Sequence, residues 1–129
     1  MIKGSCLCGC ITYSTSSPLG DGEICHCVQC RKSTGYALAS TSVPLDSLTI
    51  AGEEYLSWYH SSEKARRGFC SKCGSTLFFD PIDKNKHDWI SIALGSIDGG
   101  TGCTIKLHIF TAEKGDYYDI LDGARQNLY

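Results

Sequence analysis

The chain has 129 residues, a formal net charge of −2 and both signs of charge mixed along its length. That length predicts one domain, residues 1–129, and the balance argues against a nucleic-acid binder that relies on a broad basic surface. No apolar stretch approaches the ~20 residues of a membrane span. The opening Met1-Ile2-Lys3-Gly4-Ser5 lacks the apolar region of a secretory signal, so a cytoplasmic protein with neither membrane nor nucleic acid as partner is expected.

Short alternating segments broken by Gly, Ser, Asp and Pro predict a mainly β chain. Ile11, Tyr13 and Thr15 share one face of a first strand. Tyr36 to Val43 forms a second, stopped by Pro44, and Leu48 with Ile50 a short third, ended by Gly52. Tyr55 to His60 alternates aromatic positions as a fourth strand. Arg66 to Phe69 and Thr76 to Phe79 flank a cysteine pair, the latter stopped by Asp80-Pro81. Ile90, Ile92 and Leu94 line one face of a further strand. Ile105, Leu107 and Ile109 line another, with Lys106 and His108 opposite. Two helical turns are expected. One covers Cys27 to Thr34 and ends at Gly35; the other covers Tyr117 to Leu121. Lys64, Arg66 and Arg67 form a short basic run that reads as a solvated strand edge.

The nine cysteines carry the strongest signal. In the cytoplasm thiols stay reduced, and an odd count does not suit a closed disulfide framework. Seven fall into tight clusters: Cys6-Leu7-Cys8, Cys25-His26-Cys27-Val28-Gln29-Cys30 and Cys70-Ser71-Lys72-Cys73. Four thiolates close a tetrahedral zinc site, and three leave a position open for chemistry. Cys6 and Cys8, two apart on an extended segment, point the same way and pair with Cys70 and Cys73 as a four-sulfur site that would tie distant parts of the chain together. Cys25, Cys27 and Cys30 remain as a three-sulfur site. Spacing leaves two alternatives. Cys27-x-x-Cys30 and Cys70-x-x-Cys73 could form one zinc ribbon, although Arg31–Phe69 is a long insert for that pattern. Alternatively Cys10, Cys103 or a histidine could close the second site, making both zincs structural. Cys10 and Cys103 read as small buried apolar residues.

Gly4-Ser5-Cys6-Leu7-Cys8-Gly9, Cys25-His26-Cys27-Val28-Gln29-Cys30-Arg31-Lys32 and Phe69-Cys70-Ser71-Lys72-Cys73-Gly74-Ser75 together resemble the glutathione-dependent formaldehyde-activating enzyme family, which includes centromere protein V. Leu107-His108-Ile109-Phe110 and Tyr117-Tyr118-Asp119-Ile120 resemble that family's C-terminal region, so the resemblance covers roughly Ile2 to Asp122. It implies a small zinc-stabilised β-tent of several short, coiled antiparallel sheets. It also implies two zincs per chain: a structural one on Cys6, Cys8, Cys70 and Cys73, and a catalytic one on Cys25, Cys27 and Cys30. The activity it implies is a carbon–sulfur lyase reaction joining glutathione and formaldehyde. Cys10 departs from the family's first cluster, and the tail Asp122-Gly123-Ala124-Arg125-Gln126 departs from its ending; neither touches the seven expected ligands.

Glutathione carries two carboxylates, which an arginine can clamp. Arg31 and Lys32, directly after the three-sulfur cluster, and Arg67, ahead of the third, are the candidate substrate cations. His26 is expected to point away from the metal, and His108 to be a hydrogen-bonded strand histidine. The competing function is a non-catalytic zinc-binding interaction module with two structural zincs.

Overall fold

A computed structural model describes residues 1–129. It is mainly β, with 41 % strand against 15 % helix. In chain order the elements are β1 (Ile2–Ser5), β2 (Thr12–Thr15), β3 (Gly22–Cys25), α1 (Val28–Thr34), β4 (Leu38–Pro44) and β5 (Leu48–Ala51). They continue with β6 (Leu56–His60), β7 (Ala65–Cys70), β8 (Thr76–Pro81), β9 (Trp89–Ala93), β10 (Ile105–Ile109) and β11 (Arg125–Gln126). No helix is long and apolar enough to cross a membrane.

The strands form two sheets. One is a small antiparallel sheet in the order β1-β2-β5; the other has eight strands in the order β11-β10-β3-β4-β9-β8-β7-β6. The large sheet is antiparallel except where β10 pairs in parallel with both β3 and β11. The core lies between the sheets: Ile11, just before β2, and Tyr13 on it meet Val43, Leu77, Phe78, Ile90 and Ile92 from the large sheet. Tyr13 and Phe78 meet edge to face, with ring centroids 5.3 Å apart.

Successive strand residues face opposite sides of a sheet, and here that alternation separates core from cavity. Along β8, Phe78 enters the core while Phe79 lines a cavity on the far side. Along β9, Ile90 and Ile92 are buried in the core while Trp89 and Ser91 line the cavity. On β4, Val43 belongs to the core, whereas Leu38 and Ser40 line the cavity. Glu23 and Cys25 of β3, and Ala65 and Arg67 of β7, complete the cavity face of these strands.

Several local expectations change. Asp80-Pro81 does not stop β8, which runs through Pro81, because the Asp80 carboxylate is satisfied by Arg66, 2.9 Å away, and by Lys84. Arg66 lies over the Trp58 ring, 3.9 Å from its centroid, and Arg67 is only 8 % exposed, so the basic run is no solvated edge. Leu94 leaves β9 for a 3-10 turn over Leu94–Ser96. His108, by contrast, is the hydrogen-bonded strand histidine expected, 3 % exposed on β10. The segment Tyr117 to Leu121 is not helical. Strands β1 and β3 each carry a single aliphatic residue and β11 none, so no apolar alternation marks them in the sequence.

Gly52 precedes the 3-10 turn over Glu53–Tyr55 with φ +83°, and a Cβ there would lie 1.9 Å from the Cys10 carbonyl oxygen. A left-handed backbone and a clash with main chain add together. Gly52→Ala is expected to lose about 2–4 kcal/mol of stability, read from urea unfolding followed by circular dichroism.

Candidate metal centres and the adjoining cavity

Two sulfur clusters form. The Sγ atoms of Cys6, Cys8, Cys70 and Cys73 lie within 4.8 Å of one another, as do those of Cys25, Cys27 and Cys30. All nine cysteines are free thiols. Cys6 and Cys8 follow β1, and Cys70 ends β7, so the first cluster joins the small sheet to the large one. Its Sγ separations of 3.6 Å (Cys6 to Cys8) and 3.8 Å (Cys8 to Cys70) match the ~3.8 Å edge of a tetrahedron with metal–sulfur bonds of ~2.3 Å. They far exceed a disulfide's ~2.05 Å.

Donors around the sulfurs favour thiolates. The Ile11 amide donates to Cys6 Sγ at 3.3 Å. The Ser75 hydroxyl, with the amides of Cys8 and Ser75, holds the Cys73 thiol down to about 5. The Cys10 amide favours the Cys8 thiolate, yet burial and the sulfurs of Cys6, Cys10 and Cys73 outweigh it and push Cys8 up to about 12. Protein donors alone therefore do not ionise all four sulfurs, and a cation at their centre would. Both clusters can hold a metal ion.

The second cluster is built by the β3–α1 junction. Cys27 caps α1, its Sγ accepting from the Cys30 amide at 3.3 Å, and Gly35 ends the helix at φ +84°. Cys30 Sγ also accepts from an Arg67 terminal nitrogen at 3.4 Å. The Cys25 and Cys30 thiols, then the Cys30 amide and Arg67, hold Cys27 down to about 2 against its burial. The sulfurs of Cys27 and Cys30 push Cys25 up. No His, Asp, Glu or further Cys joins this set.

These three sulfurs border the cavity, whose volume is about 610 Å³. Arg67 lines it, with its second terminal nitrogen 3.3 Å from Gln29 Oε1 and its buried Nε without a partner. Arg31 and Lys32 do not line it; the Arg31 Nε donates to the Glu113 carbonyl at 2.9 Å. Phe79 and Trp89, two of the aromatics expected as core or pocket wall, line the cavity, while Glu23, whose carboxyl burial pushes up, and the Phe110 ring are cavity residues that sequence reading missed. Alternation along β8 and β9 is the signal that places Phe79 and Trp89 away from the core.

His26 turns away from the sulfurs into a buried chain. Its Nδ1 lies 2.5 Å from the Tyr118 hydroxyl and its Nε2 2.8 Å from His108 Nδ1. His108 Nε2 lies 2.9 Å from Asp122. Burial, then the neighbouring His108, lowers the His26 pKa and keeps that ring neutral, while the Ala124 amide and His108 hold the Asp122 carboxyl ionised. One donor order serves the whole chain: Tyr118 O–H to His26 Nδ1, His26 Nε2–H to His108 Nδ1, His108 Nε2–H to Asp122. The chain fastens the Cys25–Cys27 segment to β10 and the C-terminal segment. His108→Ala strands the buried His26 Nε2–H donor and is expected to cost about 2–3 kcal/mol, and Tyr118→Phe about 1 kcal/mol. Urea unfolding at unchanged metal content measures both.

Against known proteins, the chain is 29 % identical over 120 residues to an uncharacterized lyase of Schizosaccharomyces pombe, covering 91 % of this chain and 83 % of that one. The sequence model of the glutathione-dependent formaldehyde-activating enzyme family matches residues 1–113, so this chain belongs to that family.

Proposed function

We propose that the protein is a zinc-dependent carbon–sulfur lyase that joins a thiol such as glutathione to a small aldehyde such as formaldehyde beside Cys25, Cys27 and Cys30. The family and the name of the fission-yeast relative both point to a lyase. The observation that carries the reading is the three-sulfur set, which has no fourth protein ligand and borders a cavity. An interaction module with two structural zincs would require a side chain that completes the second set.

In this reading Cys6, Cys8, Cys70 and Cys73 hold a structural zinc, and Cys25, Cys27 and Cys30 hold the catalytic one. Zinc at the three-sulfur set supplies, when bound, an open coordination position that lowers a thiol's pKa and polarises a carbonyl. The new bond forms between the thiol sulfur and the carbonyl carbon, and the thiol proton ends on the former carbonyl oxygen. Arg67, bound to Cys30 and Gln29 through two of its five N–H groups, retains donors for a substrate carboxylate.

Native mass spectrometry is expected to find two zincs per chain and a glutathione adduct that Cys27→Ser abolishes. One tightly held zinc without an adduct would favour the module instead. Cys30→Ser should lose turnover to background with its circular dichroism spectrum unchanged. Cys73→Ser should unfold the chain, because structural-zinc binding of ~10 kcal/mol is comparable to a domain's entire stability. Arg67→Ala is expected to raise the KM for glutathione about tenfold.

A further inference from the structure

The cavity wall is more apolar than glutathione and formaldehyde require. Glutathione is polar and carries two carboxylates, and formaldehyde contributes one carbon and one oxygen, yet the space of about 610 Å³ beside the sulfurs, the size of a small-molecule site, has an aromatic side. Phe79, Trp89, Ile109 and Phe110 line it, and none of them belongs to the core cluster or packs against it. Aromatic side chains in a small β protein ordinarily supply core packing; these do not.

Phe110 gives an independent observation. It is the one non-glycine residue at positive φ, with φ 54° and ψ 39°. A bulky side chain pays in strain for that conformation, and strained residues concentrate where a site requires them. A glycine would enter the following 3-10 turn, Thr111–Glu113, without strain. The phenylalanine instead brings a ring to the cavity wall, close in sequence to Ile109, whose backbone pairs with Cys25.

Another wall is braced. Phe79 and Trp89 stack with centroids 6.5 Å apart, and the Arg67 guanidinium lies over Phe79 at 5.2 Å. Apart from the sulfurs, the charged side chains at the cavity are few and of both signs, Lys64 and Arg67 with Glu23 and Glu113. Beyond the donors of Arg67, the rings are what a ligand meets.

We infer that this cavity receives an aromatic or similarly bulky apolar group carried on the carbon bonded to the reacting sulfur, so that the aldehyde partner is an apolar aldehyde rather than formaldehyde alone. This rests on the lyase reading of the same site. Binding that the reacting carbon's substituent makes in the product-like state favours such an aldehyde over formaldehyde.

The test is isothermal titration of the metal-loaded protein with ethanethiol, benzyl mercaptan and benzyl alcohol, alongside Phe110→Gly and Trp89→Leu variants whose folding is verified by thermal unfolding. Benzyl mercaptan is expected to bind at least about tenfold tighter than ethanethiol, with most of that preference lost in either variant. Equal binding of the two thiols overturns the inference and leaves the lyase reading intact. A preference unchanged in both variants also overturns it. If both thiols fail while benzyl alcohol binds the wild type and not Phe110→Gly, the apolar site stands and the thiol chemistry falls. If no ring-bearing probe binds, the inference is wrong.

Discussion

The convergence of four sulfurs from Cys6, Cys8, Cys70 and Cys73 is the constraint on which the rest of the structure depends. Cys6 and Cys70 are themselves core residues, 2 % and 0 % exposed, packed with Ile11, Tyr13, Leu77 and Phe78. Four thiolates so close together repel one another strongly, and four neutral thiols would be a poor reason to bring two sheets together. The opposite displacements of Cys8 and Cys73 record that conflict, one thiol driven up to about 12 and another down to about 5. A cation resolves it, and its binding energy becomes folding energy. A chain of this size buries a modest core, so a bond between β1 and β7 through such a centre fixes how the small sheet covers the large one.

With that junction fixed, the large sheet sorts its residues by parity. Phe78 and Phe79 are neighbours in sequence, yet one packs on Tyr13 and the other carries Arg67 over its ring. Register then brings distant residues together: Cys25 lies opposite Leu38, Glu23 opposite Ser40, Phe79 opposite Ser91, and Arg67 opposite Phe79. The cavity is thus built mainly on the sheet, with Cys27 and Cys30 from the β3–α1 junction and Phe110 from beyond β10 added to it. The parallel pairing of β3 with β10 adds the remaining side, bringing Ile109 level with Cys25 and His108 level with Ile24.

What was legible in the sequence follows from the range of each interaction. Tight cysteine spacing, the α1 segment with its Gly35 stop, and the alternation of Ile90 and Ile92 are local, and they read correctly. Arg67 could be named as a cation near the site, but its burial depends on Cys30 and Gln29 across the cavity. Asp80-Pro81 looked like a stop because its two cationic partners were invisible. The segment Tyr117 to Leu121 could not be placed from its own pattern: Tyr118 is bound to His26 and its carbonyl to Lys114 Nζ. Tertiary partners override helical propensity there. His26 and His108 show the same limit, since only the fold sets their rings 2.8 Å apart.

The two sulfur clusters share one chemistry and differ in how the chain supplies it. The four-sulfur set draws pairs from two sheets, and sequence-distant strands hold it shut. The three-sulfur set draws all its ligands from the β3–α1 junction, and a local turn supplies too few sulfurs to close a tetrahedron. Its remaining neighbour is Arg67, which donates to Cys30 and has no atom to give a metal. An arginine there offsets the charge of three thiolates while leaving the vacancy to an incoming molecule. On the proposed reading, a metal that supports the fold and a metal that acts on substrate therefore differ in what a distant strand contributes: β7 gives the first cluster a sulfur, Cys70, and the second only a cation, Arg67.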